Sequence, residues 1–201
     1  MPAAEFFRQF GFFARRNFFH AGLCAALRVE MRSAGRITAT VREDGRTYLD
    51  PGSRKTQIAQ VSDASADLVK SRLLDLMPEL EQHFQLPLAW CRPPQFLAYH
   101  VGDFFAAHRD TGVDPAVQPK PNQREVSAVI FLNGESPEPR EGSYCGGRLT
   151  FYGLLADPRI ERAGLPLSGE EGLVVAFRSS LLHQVTPVTS GQRYTIVTWY
   201  S

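Results

Sequence analysis

Residues 99–110 read YHVGDFFAAHRD, and a histidine and an aspartate stand two positions apart at the end of this stretch. In extended backbone, side chains two positions apart point to the same face. His108 and Asp110 can therefore present a nitrogen and an oxygen to one point. A surface histidine beside a solvated acid gives the same pattern, so the rest of the chain has to decide what the pair does.

A third ligand is available far downstream, where His183 lies in the apolar run LLHQV (residues 181–185). Two histidines and one carboxylate form the facial triad of non-haem Fe(II) oxygenases, which leaves positions on the metal open. A core histidine that donates to a backbone carbonyl is the alternative for His183. The other histidines fit less well: His20 and His83 lie in helical patterns, and no matching carboxylate follows His100.

Arg193 begins the last strand-like run of the chain. Period-two alternation places it on one face with Thr195, Val197 and Trp199, which makes a mostly apolar surface. A guanidinium on such a face needs an anion, and its rigid fork suits bidentate capture of a carboxylate. An exposed arginine after a turn is the alternative.

The hydrophobic periodicity predicts helices first and strands afterwards. One helix is predicted over residues 21–33, and a second from a cap at Ser62 or Asp63 through Gln85, with Pro78 able to kink or divide it. A pair of short strands is predicted within residues 36–60. Further strands are predicted near residues 95–100, 126–133, 148–152, 172–178, 183–188 and 194–200.

The run from Tyr99 to Asp110 matches the Y-x-x-G-x-x-F-x-x-H-x-D motif of prolyl 4-hydroxylase-like, Fe(II)- and 2-oxoglutarate-dependent dioxygenases. Other motifs follow in order: residues 124–133 look like the family's central strand, and residues 146–151 are similar to its G-G-x-L-x-F element. Residues 183–188, followed by Arg193, look like the distal histidine and the basic residue that binds the cosubstrate. The resemblance covers residues 94–200, and five motifs in order are far more specific than one.

The resemblance implies a role for each site residue. His108, Asp110 and His183 would hold Fe(II), and Arg193 would pair with the distal carboxylate of 2-oxoglutarate. Tyr99 would hydrogen-bond the same carboxylate; a buried structural tyrosine is its alternative reading. Some relatives carry lysine where this chain has Arg193, and the arginine keeps the positive charge.

The resemblance also implies a fold and an activity. The expected fold is α+β and mainly β, a double-stranded β-helix (jelly-roll or cupin-like) core with N-terminal helices packed on one sheet. The chain is expected to be a single domain over residues 1–201, with a helical N-terminal support region (1–93) and a catalytic core (94–201). The expected activity is hydroxylation with release of succinate and CO2, with ascorbate as a reductant.

One geometric expectation tests the resemblance. If the last two strands formed a simple hairpin, Arg193 would pair with Val188, roughly 17 Å along the strand from His183 at about 3.3 Å per residue. A short dicarboxylate does not comfortably span that distance. The two strands should therefore lie in opposite sheets, which brings the arginine back over the metal.

Composition excludes some classes of partner. Lys+Arg 22 against Asp+Glu 21 leaves a formal net charge of +1, so no global field favours nucleic acid or an anionic membrane. No apolar run is long enough to span a bilayer. The odd number of cysteines (Cys24, Cys91 and Cys145), without a C-x-x-C pair, fits a reducing, cytoplasmic location.

The substrate is the point that the sequence leaves open. A peptidyl prolyl residue, another protein side chain and a small metabolite all suit such a core. The segments expected to form the rim of the active site are residues 111–125 and 134–147, with residues 42–54 as a lid. None of these segments contains a motif that identifies the substrate. A divalent-metal hydrolase or isomerase on the same ligands, and a non-catalytic metal-binding module, are the rival interpretations. The oligomeric state is equally open.

Overall fold

The computed structural model describes residues 3–43, 46–48, 50, 52–111, 123–154 and 163–201. The helices in these ranges are α1 (Ala3–Arg8), α2 (Ala21–Ser33) and α3 (Asp63–Phe84). The strands are β1 (Phe13–Arg15), β2 (Gly35–Thr38), β3 (Val41–Glu43), β4 (Arg46–Tyr48), β5 (Arg54–Lys55), β6 (Gln57–Gln60), β7 (Gln95–Tyr99), β8 (Phe104–His108), β9 (Val126–Phe131), β10 (Tyr144–Gly146), β11 (Leu149–Phe151), β12 (Leu165–Leu167), β13 (Val174–Arg178), β14 (His183–Val185), β15 (Val188–Gly191) and β16 (Arg193–Tyr200). Within these ranges, no helix combines the length and the apolar character that a membrane crossing requires.

Two antiparallel sheets form the core. The larger has seven strands in the order β1-β13-β9-β16-β7-β6-β2, and the smaller has five in the order β12-β11-β14-β8-β5. From β7 onward, the chain passes back and forth between the two sheets: β7, β9, β13 and β16 lie in the larger sheet, and β8, β11 and β14 in the smaller. This winding is that of a double-stranded β-helix, so the predicted fold is confirmed.

The seven-stranded sheet is covered on both faces. One face packs on the helices, whose buried residues are Cys24, Leu27, Met31, Val69, Leu73, Leu76, Leu80 and Phe84. The opposite face packs on the five-stranded sheet through an interior that includes Leu97, Phe131, Val175, Leu149, Phe151 and Val185. Because β9 is buried along its whole length, it has no polar, water-facing side. The prediction that N-terminal helices pack on one sheet is confirmed.

The two predicted helices form with nearly the predicted bounds. The Ser62 hydroxyl caps α3 by accepting a hydrogen bond from the Ser65 amide at 3.3 Å. The helix then runs to Phe84 without a break, so Pro78 does not divide it. It ends at Gln85, which adopts the left-handed conformation with φ 53°.

The strand prediction differs from the structure in two segments that matter for the site. The strand β8, which carries His108, is absent from the predicted strands. The single strand predicted near residues 183–188 is two strands, β14 and β15, that lie in different sheets. Pro187 separates them, and because proline has no amide hydrogen it cannot continue a ladder. β14 stays in the five-stranded sheet, and β15 pairs with β10.

The first 93 residues contribute strands as well as helices. β2 pairs with β6, and β6 with β7, so two strands from this part of the chain extend the seven-stranded sheet. β1 adds the opposite edge through β13, and β5 adds an edge to the five-stranded sheet through β8. Of these strand pairings, local periodicity predicted only the one within residues 36–60.

The proposed rim segments are only partly described. Residues 112–122, most of the 111–125 segment, lie outside the described residues, and so do positions 44, 45, 49 and 51 of the 42–54 segment. The 134–147 segment contains β10, in which Tyr144 is 1% exposed. Closure of these segments on a substrate stays a prediction.

Candidate active site

The three candidate ligands come together on two neighbouring strands. His108 ends β8 and His183 begins β14, and the antiparallel register of these strands places the two histidines directly opposite each other. Asp110 follows β8 by two residues. One potential ligand atom from each of the three side chains lies within 4.8 Å of the other two. The structure thus assembles the whole predicted set at one point between the sheets.

Backbone carbonyls select the tautomer of both histidines. Nδ1 of His108 lies 2.8 Å from the Ala106 carbonyl oxygen, and Nδ1 of His183 lies 2.9 Å from the Leu181 carbonyl oxygen. A carbonyl only accepts, so each Nδ1 carries the hydrogen and each Nε2 keeps its lone pair. Both Nε2 atoms are 3.6 Å from oxygens of Asp110. His183 does donate to a backbone carbonyl, as its alternative reading held, and its second nitrogen still faces the site.

Asp110 is held as a carboxylate in a largely buried position. Its Oδ2 accepts a hydrogen bond of 2.7 Å from the Ser127 hydroxyl, which lies 2.8 Å from the Ser179 hydroxyl. Burial acts to raise the pKa of Asp110, but the neighbouring His108 and His183 and the Ser127 hydroxyl together hold that pKa well below its usual range. The site therefore keeps one negative charge at neutral pH.

His183 is held neutral by its surroundings. Burial lowers the pKa of His183 to about 4, although the Asp110 carboxylate acts in the opposite direction. A neutral imidazole is the form that binds a metal ion.

Aromatic rings fix the orientation of both histidines. The Phe105 ring stacks on the His108 ring at 3.6 Å between centroids, and the Phe177 ring meets the His183 ring edge-on at 4.8 Å. These contacts restrict rotation of the imidazoles. Phe105 and Leu149 also line the cavity as apolar side chains.

Arg193 is buried in the same cavity. Its side chain is 1% exposed, and its Nη1 donates to the Thr195 hydroxyl at 3.1 Å. Its Nε has no hydrogen-bond partner, and no carboxylate among the described residues lies within ion-pair distance. Its guanidinium carbon lies 4.9 Å from the ring centroid of Tyr99 and 5.3 Å from that of Phe131. A buried, unpaired cation of this kind is ready for an anionic ligand.

The expected strand crossing is confirmed. β14, which carries His183, lies in the five-stranded sheet, whereas β16, which carries Arg193, lies in the seven-stranded sheet beside β7. Tyr99 is the direct cross-strand neighbour of Arg193. As a result, Tyr99 and Arg193 line one cavity with the three candidate ligands.

Two site residues were missed by sequence reasoning. Ser127 stands in the otherwise apolar run VSAVIF of β9, and a polar residue at an interior position of a central strand was the signal that could have found it. Arg54 also lines the cavity and is 8% exposed. Its local sequence, Arg-Lys-Thr, has no apolar alternation, so no local signal could have indicated its burial.

Comparison with known proteins agrees with this geometry. The family model described as the 2OG-Fe(II) oxygenase superfamily matches residues 94–201, more than half of the chain. This chain belongs to the 2OG-Fe(II) oxygenase superfamily. The resemblance stated from the motifs is therefore confirmed, and 2-oxoglutarate and Fe(II) are the cofactors of this superfamily.

Individual relatives of this 2OG-Fe(II) oxygenase are hydroxylases by name. It is 34% identical to a PKHD-type hydroxylase of Shewanella baltica over 117 residues, which are 57% of this chain and 44% of the relative. It is 30% identical to a PKHD-type hydroxylase of Hyphomonas neptunium over 165 residues, 78% of this chain and 66% of the relative. The chain thus spans about half to two thirds of the length of these two relatives.

The fold is also that of a solved prolyl hydroxylase. The crystal structure of a Pseudomonas putida prolyl-4-hydroxylase superposes with a TM-score of 0.66 over 98% of this chain and 96% of that one, at 24% identity. The similarity extends beyond residues 94–201 and so includes the N-terminal helices in the shared fold.

Proposed function

We propose that this protein is an Fe(II)- and 2-oxoglutarate-dependent dioxygenase that hydroxylates a C–H bond of its substrate and releases succinate and CO2. The observation that carries the proposal is a single cavity that combines a His-Asp-His cluster with a buried, unpaired guanidinium. A plain metal site needs only the first of these features.

The side chains fit an Fe(II) ion. Two imidazoles with free Nε2 lone pairs and one carboxylate form the donor set of the non-haem Fe(II) oxygenases. We assign His108, Asp110 and His183 as the metal ligands and, through them, as the catalytic residues. Bound there, the metal supplies the activation of O2 and the oxidising power for C–H hydroxylation.

The cavity also fits 2-oxoglutarate. The orphaned Nε of Arg193 and its lack of a carboxylate partner among the described residues match a ligand that brings its own carboxylate. We assign Arg193 as the group that binds the distal carboxylate, with Tyr99 beside it as a second contact. The Thr195 hydroxyl orients the guanidinium by accepting from Nη1.

The protein contributes the orientation of the ligand side chains. The Ala106 and Leu181 carbonyls hold the imidazoles in the tautomer that presents Nε2, and the Ser127 hydroxyl holds the carboxylate of Asp110. Phe105 and Phe177 pack on the imidazoles and cover part of their surface with apolar rings. These residues determine where the reacting groups lie.

The names of the relatives support one substrate class over another. A prolyl residue or another side chain of a protein is our first candidate, because the fold and the names of the relatives are those of prolyl and PKHD-type hydroxylases. A small metabolite is the second candidate. We propose ascorbate as the reductant that keeps the iron in the Fe(II) state.

We also propose an organisation and a location. Residues 1–201 form one domain, in which residues 1–93 support the catalytic core of residues 94–201; the shared cluster between the helices and the seven-stranded sheet supports this. A cytoplasmic location is supported by three cysteines that are all free and buried. Cell fractionation tests the location, and limited proteolysis tests the single domain.

Two measurements test the activity. Anaerobic titration of the protein with Fe(II) and 2-oxoglutarate should produce a weak charge-transfer band in the visible, and air should then convert 2-oxoglutarate to succinate. A divalent-metal hydrolase or isomerase, or a non-catalytic metal-binding module, would bind the metal and give neither the band nor succinate. If the protein binds the metal but gives neither the charge-transfer band nor succinate, the proposal is rejected in favour of these rivals.

A further inference from the structure

A second arginine, Arg54, reaches the cavity from the opposite sheet to Arg193. Arg54 lies in β5, and its register places it directly opposite Phe105 of β8, three residues before His108. The Ala106 amide also donates to the Ser53 carbonyl at 2.8 Å. The backbone of Arg54 is therefore attached to the strand that carries the first candidate metal ligand.

A tight turn fixes the start of β5. The carboxylate of Asp50 accepts a hydrogen bond from the Gly52 amide at 3.0 Å, and the Asp50 carbonyl accepts from the Arg54 amide at 2.8 Å. Main-chain contacts on both sides thus hold Arg54 in place, which is the rigid support that a binding residue requires.

The guanidinium of Arg54 is largely desolvated, since Arg54 is a buried residue. Its Nη1 donates to the Thr40 carbonyl at 3.2 Å, and its central carbon lies 4.6 Å from the Phe105 ring centroid. Its Nε is buried without a partner, and no carboxylate of the described residues forms an ion pair with it. Burial of a cation without a counter-charge is unfavourable. A ligand that brings a negative charge would recover part of that cost.

Under the proposed function, 2-oxoglutarate does not supply the negative charge that Arg54 lacks. The described residues that line the cavity carry two guanidinium groups, Arg54 and Arg193, and one carboxylate, Asp110. The charges of Fe(II) and of the 2-oxoglutarate dianion cancel each other. The two guanidinium groups and the one carboxylate then leave the cavity with one positive charge. Under the proposed function, one carboxylate of 2-oxoglutarate is at Arg193 and the other at the metal. Neither is left for Arg54.

We propose, on the basis of the proposed function, that Arg54 binds a carboxylate of the substrate. The preferred substrate is then an anion whose carboxylate lies close to the C–H bond that is hydroxylated, because the Phe105 ring contacts both the Arg54 guanidinium and the His108 ring. Two sources supply this chemistry: the terminal carboxylate of an amino acid or peptide, and the acidic side chain of a residue next to the target in a protein.

The direct test uses propionate as the probe and propionamide as its uncharged twin. The protein is loaded anaerobically with Fe(II) and 2-oxoglutarate, so that Arg193 is occupied and turnover is blocked, and binding is followed by NMR of the probe. We expect propionate to bind more tightly than propionamide, and its dissociation constant to rise about tenfold in Arg54→Gln. Arg54→Lys should restore part of the affinity.

Lys55→Gln is the matched control. Lys55 is the next residue of β5 and is exposed, and its ammonium group pairs with Asp103 at 3.3 Å. Its substitution removes the same charge one position away and should leave propionate binding unchanged. Circular dichroism and thermal melting of each variant establish that it is folded.

Two further pairs of compounds separate the sources. N-acetylproline is compared with its amide for a terminal carboxylate, and N-acetyl-aspartyl-prolinamide with its asparaginyl analogue for an acidic side chain. The pair whose acidic member binds more tightly, in an Arg54-dependent manner, identifies the source.

Clear results would overturn the inference. Equal propionate affinity in the wild type and Arg54→Gln would do so, and so would equal affinities for propionate and propionamide. A loss of 2-oxoglutarate affinity in Arg54→Gln, with propionate binding unchanged, would assign Arg54 to the cosubstrate instead. The propionate titration is repeated on metal-free Arg193→Gln protein, in which Arg193 cannot bind the probe. This measurement reports on Arg54 even if the protein does not bind 2-oxoglutarate. Failure of the proposed function is thereby distinguished from failure of the inference about Arg54.

Discussion

The same strands of the seven-stranded sheet pack on the helices with one face and line the cavity with the other. On β16, Tyr194 and Ile196 pack into the cluster beneath the helices, whereas Arg193, Thr195 and Val197 line the cavity. Similar alternation occurs on the other inner strands: Phe96 and Ala98 of β7 face the helices, and Leu97 and Tyr99 face the interior. Successive side chains of a strand point to opposite sides, so each of these inner strands contributes to both faces.

The difference between the faces lies in what fills them. The helix-facing side is apolar and close-packed, so its contribution is burial of hydrophobic area. The cavity-facing side carries the Arg193 guanidinium and the hydroxyls of Ser127 and Thr195. Burial of the guanidinium without an anionic ligand is unfavourable. Substitutions on the first face should therefore change stability, and substitutions on the second should change binding and turnover.

The largest expected effect on the cavity side is that of His183→Ala. We expect it to abolish metal-dependent succinate formation, because it removes one of three ligand side chains, while the melting temperature stays close to that of the wild type. The exchange of His83, an exposed histidine of α3, for alanine is the control and should retain activity. Succinate formation by His183→Ala at the wild-type rate would refute the ligand assignment.

The next effect is on the helix-facing side. Ile196→Ala should lower the free energy of unfolding by about 3 kcal/mol, because Ile196 is fully buried and its truncation leaves a cavity. Val197→Ala, one residue away on the half-buried cavity side, should cost less than about 1.5 kcal/mol. Urea denaturation measures both. Equal losses would mean that the faces are not energetically distinct.

Arg193→Ala should act mainly on cosubstrate binding. We expect the KM for 2-oxoglutarate to rise about 30-fold, as removal of charge-assisted hydrogen bonds predicts, and Arg193→Lys to keep an intermediate value because it retains the charge but not the fork. Steady-state kinetics with varied 2-oxoglutarate measures this. An unchanged KM in Arg193→Ala would exclude the anchoring role.

The smallest effect concerns the support of Asp110. Ser127→Ala removes the hydroxyl that donates to Oδ2, and we expect Fe(II) affinity to fall about tenfold. Ser180→Ala, an exposed serine beside Ser179, is the matched control. Competition with a metal-sensitive dye measures the affinity. Identical affinities in both variants would show that Ser127 does not support the site.

Local rules were enough to place much of the site. Period-two alternation put His108 and Asp110 on one face and Arg193 on an interior face, and helical periodicity placed α2 and α3 within a residue or two. The same rules failed where non-local pairing decides. They merged β14 and β15, and they gave no indication that Arg54 would be buried, because its neighbours carry no apolar pattern.

The amino-acid sequence by itself determined which side chains share a face of a strand or helix. It also contained the motif that identifies the family. Only the tertiary structure decided which faces meet. Bringing His108 opposite His183, and Arg54 and Arg193 into one cavity from two sheets, depends on hydrogen bonds between strands far apart in the chain. Local periodicity carries no information about such pairings, because it describes a strand and not its partner.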